Sequence, residues 1–292
     1  MKKKYILSAY LIGAIVLGLI LAIWRTLLIL NYYDPYLKEF AYAATRGNDT
    51  LGYVTFAVLL LMASAFFVFR KMTVSSFEAS AAQSTVFTSS FSGFIFFAIA
   101  ILLFIYHKNV IFAETAHFFF RSLHIVSLFL MFPTAGYFLL NASAEPNGTK
   151  AKRALSFFPA AWALFYLVCS YANPQYNYSD PNRLFCNVSL IALLCFYLFE
   201  TRKNVSKPIP STQFVFGLFA VVSILVYIVP TALLTSFWEI DLAVSTIFEV
   251  VEIGGVAYII SMMVMMIKNL EPMQEVPASA ETAEEEKEPT AE

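Results

Sequence analysis

The chain has 292 residues, of which 59% are hydrophobic and 17% aromatic, while only 13% are charged, about half the share usual in a soluble domain. That much apolar surface exceeds what one soluble core can hide. With a formal charge of −1 and no basic stretch interleaved with aromatics, the composition also excludes a nucleic-acid-binding protein.

Apolar runs of about 20 residues, the length that crosses a bilayer core, recur along the sequence. They predict an all-α, polytopic transmembrane helical bundle of about eight spans. Met1 to Lys4 is a basic start, and Tyr5 to Leu30 is the first run. It is too long for a signal peptide and lacks a small-residue cleavage site, so it reads as a retained span with Arg25 near its far end. Asn31 to Thr50 is a loop rich in Tyr, whose amphipathic rings suit the membrane interface. Leu51 to Phe69 is the second span, closed by Arg70 and Lys71. Met72 to Ser90, rich in Ser, Ala and Thr, reads as a loop with a short surface helix before the third span, Phe91 to Tyr106.

The fourth span is Ala113 to Leu140, with Pro133 as a kink position. Ala154 to Tyr171 and Arg183 to Phe199 follow as the fifth and sixth. Gln213 to Phe237, which contains Pro230, is the seventh, and Asp241 to Ile267 is the eighth. Glu145 to Arg153 and Glu200 to Thr212 read as basic loops.

The basic residues test this count. With the amino end in the cytoplasm, twelve Lys and Arg fall on the inner side and only Lys38, Arg46, Lys108 and Arg183 on the outer loops. That alternation obeys the positive-inside rule and places a multi-pass protein in the plasma membrane with both termini cytoplasmic. Residues 1–270 form the transmembrane domain. Residues 271–292 hold eight Glu and one Lys and carry no periodic apolar face, so they read as a disordered acidic tail able to dock a protein partner. Cys169 and Cys186 flank one predicted outer loop and are candidates for a disulfide, though small apolar residues within helices are the simpler reading.

Charges inside a span are costly and mark candidate sites. Glu114, His117, Arg121 and His124 follow spacings of three, four and three, which keeps them within roughly an 80° arc of one helix face. Asp241, Ser245, Glu249 and Glu252 form an acidic counterpart on the eighth span. Counted by helix rise, Arg25, Arg121, His124, Glu249 and Glu252 lie roughly 8–16 Å below the outer surface. Arg25 and Arg121 are therefore expected to neutralise Glu249 and Glu252, because an unpaired buried ion is unfavourable. Tyr227 on the seventh span, with Thr231, Thr235, Asn187 and Ser189, adds polar groups at that depth, and Pro230 frees a backbone carbonyl there.

The chain resembles a family of uncharacterised membrane proteins of anaerobic Gram-positive bacteria. The likeness lies in Asp34-Pro35 after the first span, in Trp162, Tyr166 and Asn173-Pro174, and in an aromatic sixth helix ending at Glu200. The resemblance implies eight spans and no assigned activity.

Three uses of the charged layer follow. It can fix helix positions with no ligand. It can form a polar cavity, open outward, that binds or moves a small solute or a proton, or that serves a membrane subunit or sensor. It can support a membrane enzyme, since Glu114-x-x-His117 and Glu249-x-x-Glu252 resemble fragments of di-metal carboxylate motifs. Only one Glu-x-x-His is present, and Arg121 beside it repels a cation, so no metal or cofactor is expected. The non-enzymatic reading with the lipid bilayer, a small solute or a proton as partners is favoured. The Met262-Met263 and Met265-Met266 pairs read as apolar packing.

Overall fold

The computed structural model describes residues 2–34, 39–41, 45–70, 72–75, 82–106, 118–143, 149–172, 181–205, 208–238 and 246–272. Long helices form wherever the apolar runs predict them, since a helix satisfies its own backbone polar groups in lipid. They are α1 (Lys2–Tyr32), α2 (Thr45–Ala63) with its short continuation α3 (Ala65–Phe69), α4 (Gln83–Tyr106) and α5 (Phe118–Ala142). Then come α6 (Lys150–Leu155), α7 (Phe158–Ala172), α8 (Pro181–Asn204), α9 (Pro210–Trp238) and α10 (Thr246–Lys268). Taking α2 with α3 and α6 with α7 as single passes, eight segments among the described residues are long and apolar enough to cross a membrane.

Two small strand pairs close the ends. β1 (Tyr33–Asp34) pairs antiparallel with β2 (Glu39–Phe40) in the register Tyr33–Phe40. β3 (Met72–Val74) pairs with β4 (Leu270–Pro272) in the register Thr73–Glu271. The Lys4 ammonium donates to the Lys268 carbonyl at 2.6 Å. The start of α1, the end of α3 and the end of α10 therefore share one end of the bundle, here called the base.

Helix neighbours define the architecture. Helix α9 packs on α8, α8 on α7, α7 on α5, α5 on α4, α4 on α10, and α10 returns to α9. This is a closed ring of six helices, and α1 with α2 and α3 covers the outer face of α9. The apolar stretch of α9 is 78% buried, against 22% for α2–α3, so α9 is the most buried of the eight spans and α2–α3 lies at the lipid edge. Leu218, Val221, Val222 and Ile224 of α9 are buried, as its nearly uniform apolar sequence requires. Inside the ring, Phe138 stacks on Phe96 at 5.5 Å and meets Tyr258 edge-on at 5.0 Å, and Phe96 meets Trp162 edge-on at 4.9 Å. Ile12, Val16, Ile20, Phe56, Phe94 and Phe104 face outward, as a lipid-facing surface requires. Met262, Met263, Met265 and Met266 are buried in the core.

Two expected boundaries move. The third span begins at Gln83, eight residues before Phe91, inside the stretch expected to be loop. Several of its hydroxyls pair within the helix or across it, while that of Thr85 is buried with no partner among the described residues. Ser92 donates to the Thr88 and Gly254 carbonyls at 2.8 Å, Ser89 donates to the Phe138 carbonyl at 2.7 Å, and Thr88 and Ser261 share a hydrogen bond of 2.6 Å. Pairing of this kind lowers the cost of embedding a Ser- and Thr-rich segment. The sixth span continues past Phe199 to Asn204, which puts Glu200 and Lys203 inside the bundle rather than in a loop.

Close approach of α4 to α5 depends on Gly93, where an added Cβ would lie 3.1 Å from the Ala135 carbonyl oxygen and 2.8 Å from Leu139. Backbone cannot yield as a side chain can. Gly93→Ala should cost about 1–3 kcal/mol of stability. Gly13→Ala, with nothing within 4 Å of the new methyl, should leave the melting temperature unchanged or raised. Thermal unfolding of the two variants in detergent checks the contrast, and equal melting temperatures would contradict this packing.

Candidate functional site

Pro230 lies within α9 and has no N–H, so the carbonyl four residues earlier, that of Val226, loses its helical partner. Arg25 of α1 supplies the replacement. Its guanidinium donates through Nη1 to the Val226 carbonyl at 2.8 Å and to the Tyr227 carbonyl at 3.1 Å, and through Nη2 to Asn182 Oδ1 of α8 at 2.5 Å. The Phe185 ring lies 4.8 Å from the guanidinium carbon and the Tyr227 ring 5.6 Å. Arg25 is only 1% exposed, so one cation joins three helices in the half of the bundle away from the base. Thr231, one turn beyond Tyr227, donates to the Tyr227 carbonyl at 2.8 Å. The sequence reading expected Arg25 to meet Glu249 or Glu252; three of its contacts go instead to carbonyl and amide oxygens of α9 and α8.

Glu252, 1% exposed on α10, accepts from the Ser189 hydroxyl of α8 at 3.5 Å. Gly254 and Gly255 follow it, and a Cβ at Gly255 would stand 3.1 Å from the Tyr197 hydroxyl. Small residues here let α10 approach its neighbours closely. His124 is buried on α5, with Nδ1 3.8 Å from the Cys169 sulfur of α7. Arg121, half-buried, precedes His124 by about one turn on α5, whose main neighbours are α4 and α7. The main neighbours of α1 are α9 and α2, so the two arginines belong to different sectors of the bundle. Cys169 and Cys186 are not joined by a disulfide, and Cys186 lies 3.7 Å from the Ser170 hydroxyl. Arg183, expected in an outer loop, is 3% exposed and packs 5.0 Å from the Tyr171 ring. Glu114 and His117 lie outside the described residues, as does the side chain of Glu249. The expected ion pairs to Glu249 lie outside them too.

A second polar centre near the base was not anticipated. Glu200 of α8, 1% exposed, accepts on Oε1 from the Lys203 ammonium at 2.8 Å, the Tyr137 hydroxyl at 2.9 Å and the Tyr258 hydroxyl at 2.5 Å. Gln213 of α9 donates to its Oε2 at 3.3 Å. Asn204 donates to the Tyr137 oxygen at 3.3 Å and Asn141 to the Tyr258 oxygen at 2.7 Å. The centre joins α5, α8, α9 and α10, and it lies eleven residues from Ser189 along α8, about 16 Å by helix rise. A usable signal was present. Tyr197, Glu200 and Asn204 fall on one helical face, as do Tyr137 and Asn141, but the face is visible only once α8 is extended past Phe199.

The chain matches no family model, and neither a curated protein nor a solved structure is similar to it. The site therefore has to be read from its own chemistry. Among the described residues no three His, Cys, Asp or Glu side chains gather as a metal-binding group.

If Arg25 serves the carbonyl that Pro230 releases, the two residues are coupled. Arg25→Met should lower stability by about 2–3 kcal/mol, the cost of stranding buried acceptors. Adding Pro230→Ala, which restores the missing N–H, should recover about 1 kcal/mol of that loss. Four-way unfolding measurements test this, and effects that add within about 0.5 kcal/mol would refute the coupling.

Proposed function

We propose that this is a non-enzymatic, multi-pass plasma-membrane protein that binds or moves a proton or a small solute through its charged interior, with Glu252 as the group that changes charge. The carrying observation is the burial of Glu252 to 1% exposure inside the helix ring, with the Ser189 hydroxyl at its carboxylate. Carboxylates within membrane helices are rare and mark solute or proton pathways, which is the role proposed for Glu252. Tyr197 supports the reading. Its hydroxyl sits against Gly255, one turn from Glu252, and its own helix carries Glu200 three residues on. Three of the Arg25 contacts go to carbonyl and amide oxygens, which favours a small neutral or cationic occupant over an anion that would need that guanidinium.

The second reading is a membrane subunit or sensor whose charges fix helix positions. The Arg25 clamp across three helices favours it. A membrane enzyme using Glu and His is the third. It would rest on Glu114 and His117, outside the described residues.

The base faces the cytoplasm in this proposal. Exposed Lys2, Arg70, Lys150, Arg153, Arg202 and Lys268 all lie at that end, as the positive-inside rule requires. A fluorescent protein fused after Glu292 should therefore light up in a bacterial host, and alkaline phosphatase fused there should be inactive. The opposite pair of results would invert the topology.

Flux decides between the readings. The full chain in liposomes with a trapped pH dye should pass protons under an imposed potential. Glu252→Gln should slow this about tenfold or more, which corresponds to ~1.4 kcal/mol in the barrier. Equal rates in the two proteins, or none in either, would leave the subunit reading in its place.

A further inference from the structure

The Glu200 centre holds more acceptors than the protein satisfies. Each tyrosine hydroxyl there has one proton, and both Tyr137 and Tyr258 give theirs to Glu200. Their oxygens can then only accept, so Asn204 and Asn141 must turn their NH2 groups toward them. Gln213 likewise turns its NH2 group to Glu200 Oε2. The carboxylate thus orients all three amides, and a flip of any would set oxygen against oxygen. As a result Asn141 Oδ1, Asn204 Oδ1 and Gln213 Oε1 are buried with no hydrogen-bond donor on them among the described residues. All three side chains are fully buried, at 0% exposure. Buried acceptors left without a partner are destabilising and call for a bound donor or cation.

The chemistry narrows the class. The orphaned atoms are the oxygens of three amides whose NH2 groups contact a carboxylate and two phenols, and amide oxygens are hard donors that suit alkali or alkaline-earth cations and not soft metals. Lys203 already balances the one negative charge, so a divalent ion would leave a large excess charge in a buried place. A monovalent ion held by neutral carbonyl dipoles is the better match, as in carbonyl-lined ion filters. We infer that Glu200, Gln213, Asn204 and Asn141 form a binding site for a monovalent alkali cation near the base of the bundle. The site is separate from Glu252 and does not depend on proton transfer there.

The test is thermal unfolding of the purified full chain in sodium, potassium or choline chloride at equal ionic strength. Sodium or potassium should raise the melting temperature by about 3 °C or more over choline, saturably. Gln213→Met keeps the side-chain length but removes the oxygen, and Glu200→Gln removes the charge; both should abolish most of that increment. An identical melting temperature in all three salts would overturn the site and leave the orphaned oxygens to water. So would an alkali increment that survives in Gln213→Met. If Glu200→Gln does not fold, Gln213→Met and the wild-type salt series decide.

Discussion

Proline at position 230 removes one hydrogen-bond donor from the most buried helix of the bundle, and a guanidinium from another helix replaces it. In lipid no water can fill such a gap, so the carbonyl of Val226 needs a protein partner. That partner comes from Arg25, 201 residues away in sequence. The same contact solves the problem of the arginine. A cation at that depth is tolerated because carbonyl, amide and aromatic groups surround it. Each group would be costly alone, and together they tie α1 to the junction of α8 and α9.

The rest of the interior follows the same rule of mutual satisfaction. Hydroxyls on α4 pair with carbonyls and hydroxyls on α5 and α10, which lets a polar segment sit within the ring. The Glu200 carboxylate is met by an ammonium, two phenols and an amide, so four helix segments are pinned near the base. A guanidinium in one half and a carboxylate in the other hold opposite ends of α8 and α9. Glu252 and Tyr197 lie between these two anchors, on α10 and α8.

Much of this could be read in the residues. Arg25, Tyr227 and Pro230 each stood out because each is unusual in an apolar run, but the sequence directed Arg25 to Glu249 and Glu252 and not to the carbonyl that Pro230 releases. Glu252 stood out because a carboxylate inside an apolar span is costly. Glu200 was missed for the opposite reason. It sits beside Arg202, Lys203 and Lys207, and a charge next to basic residues reads as the edge of the membrane. Nothing local distinguishes a helix that ends at Phe199 from one that runs on to Asn204. Phenols and amides from three other helices decide it by giving the charge somewhere to bind.

The sequence by itself determined the number of spans, their polar stripes and the basic bias of one end, because hydrophobic length and charge cost act residue by residue. It did not determine which stripes would meet. The closed ring of six helices, the sector that separates Arg25 from Arg121 and the orientation of the amides around Glu200 belong to the tertiary structure alone. Between apolar helices in lipid no large hydrophobic drive selects the neighbour. Steric fit at Gly93 and Gly255, and the pairing of a few buried polar groups, make that choice. Those are properties of two surfaces together, which no single stretch of sequence carries.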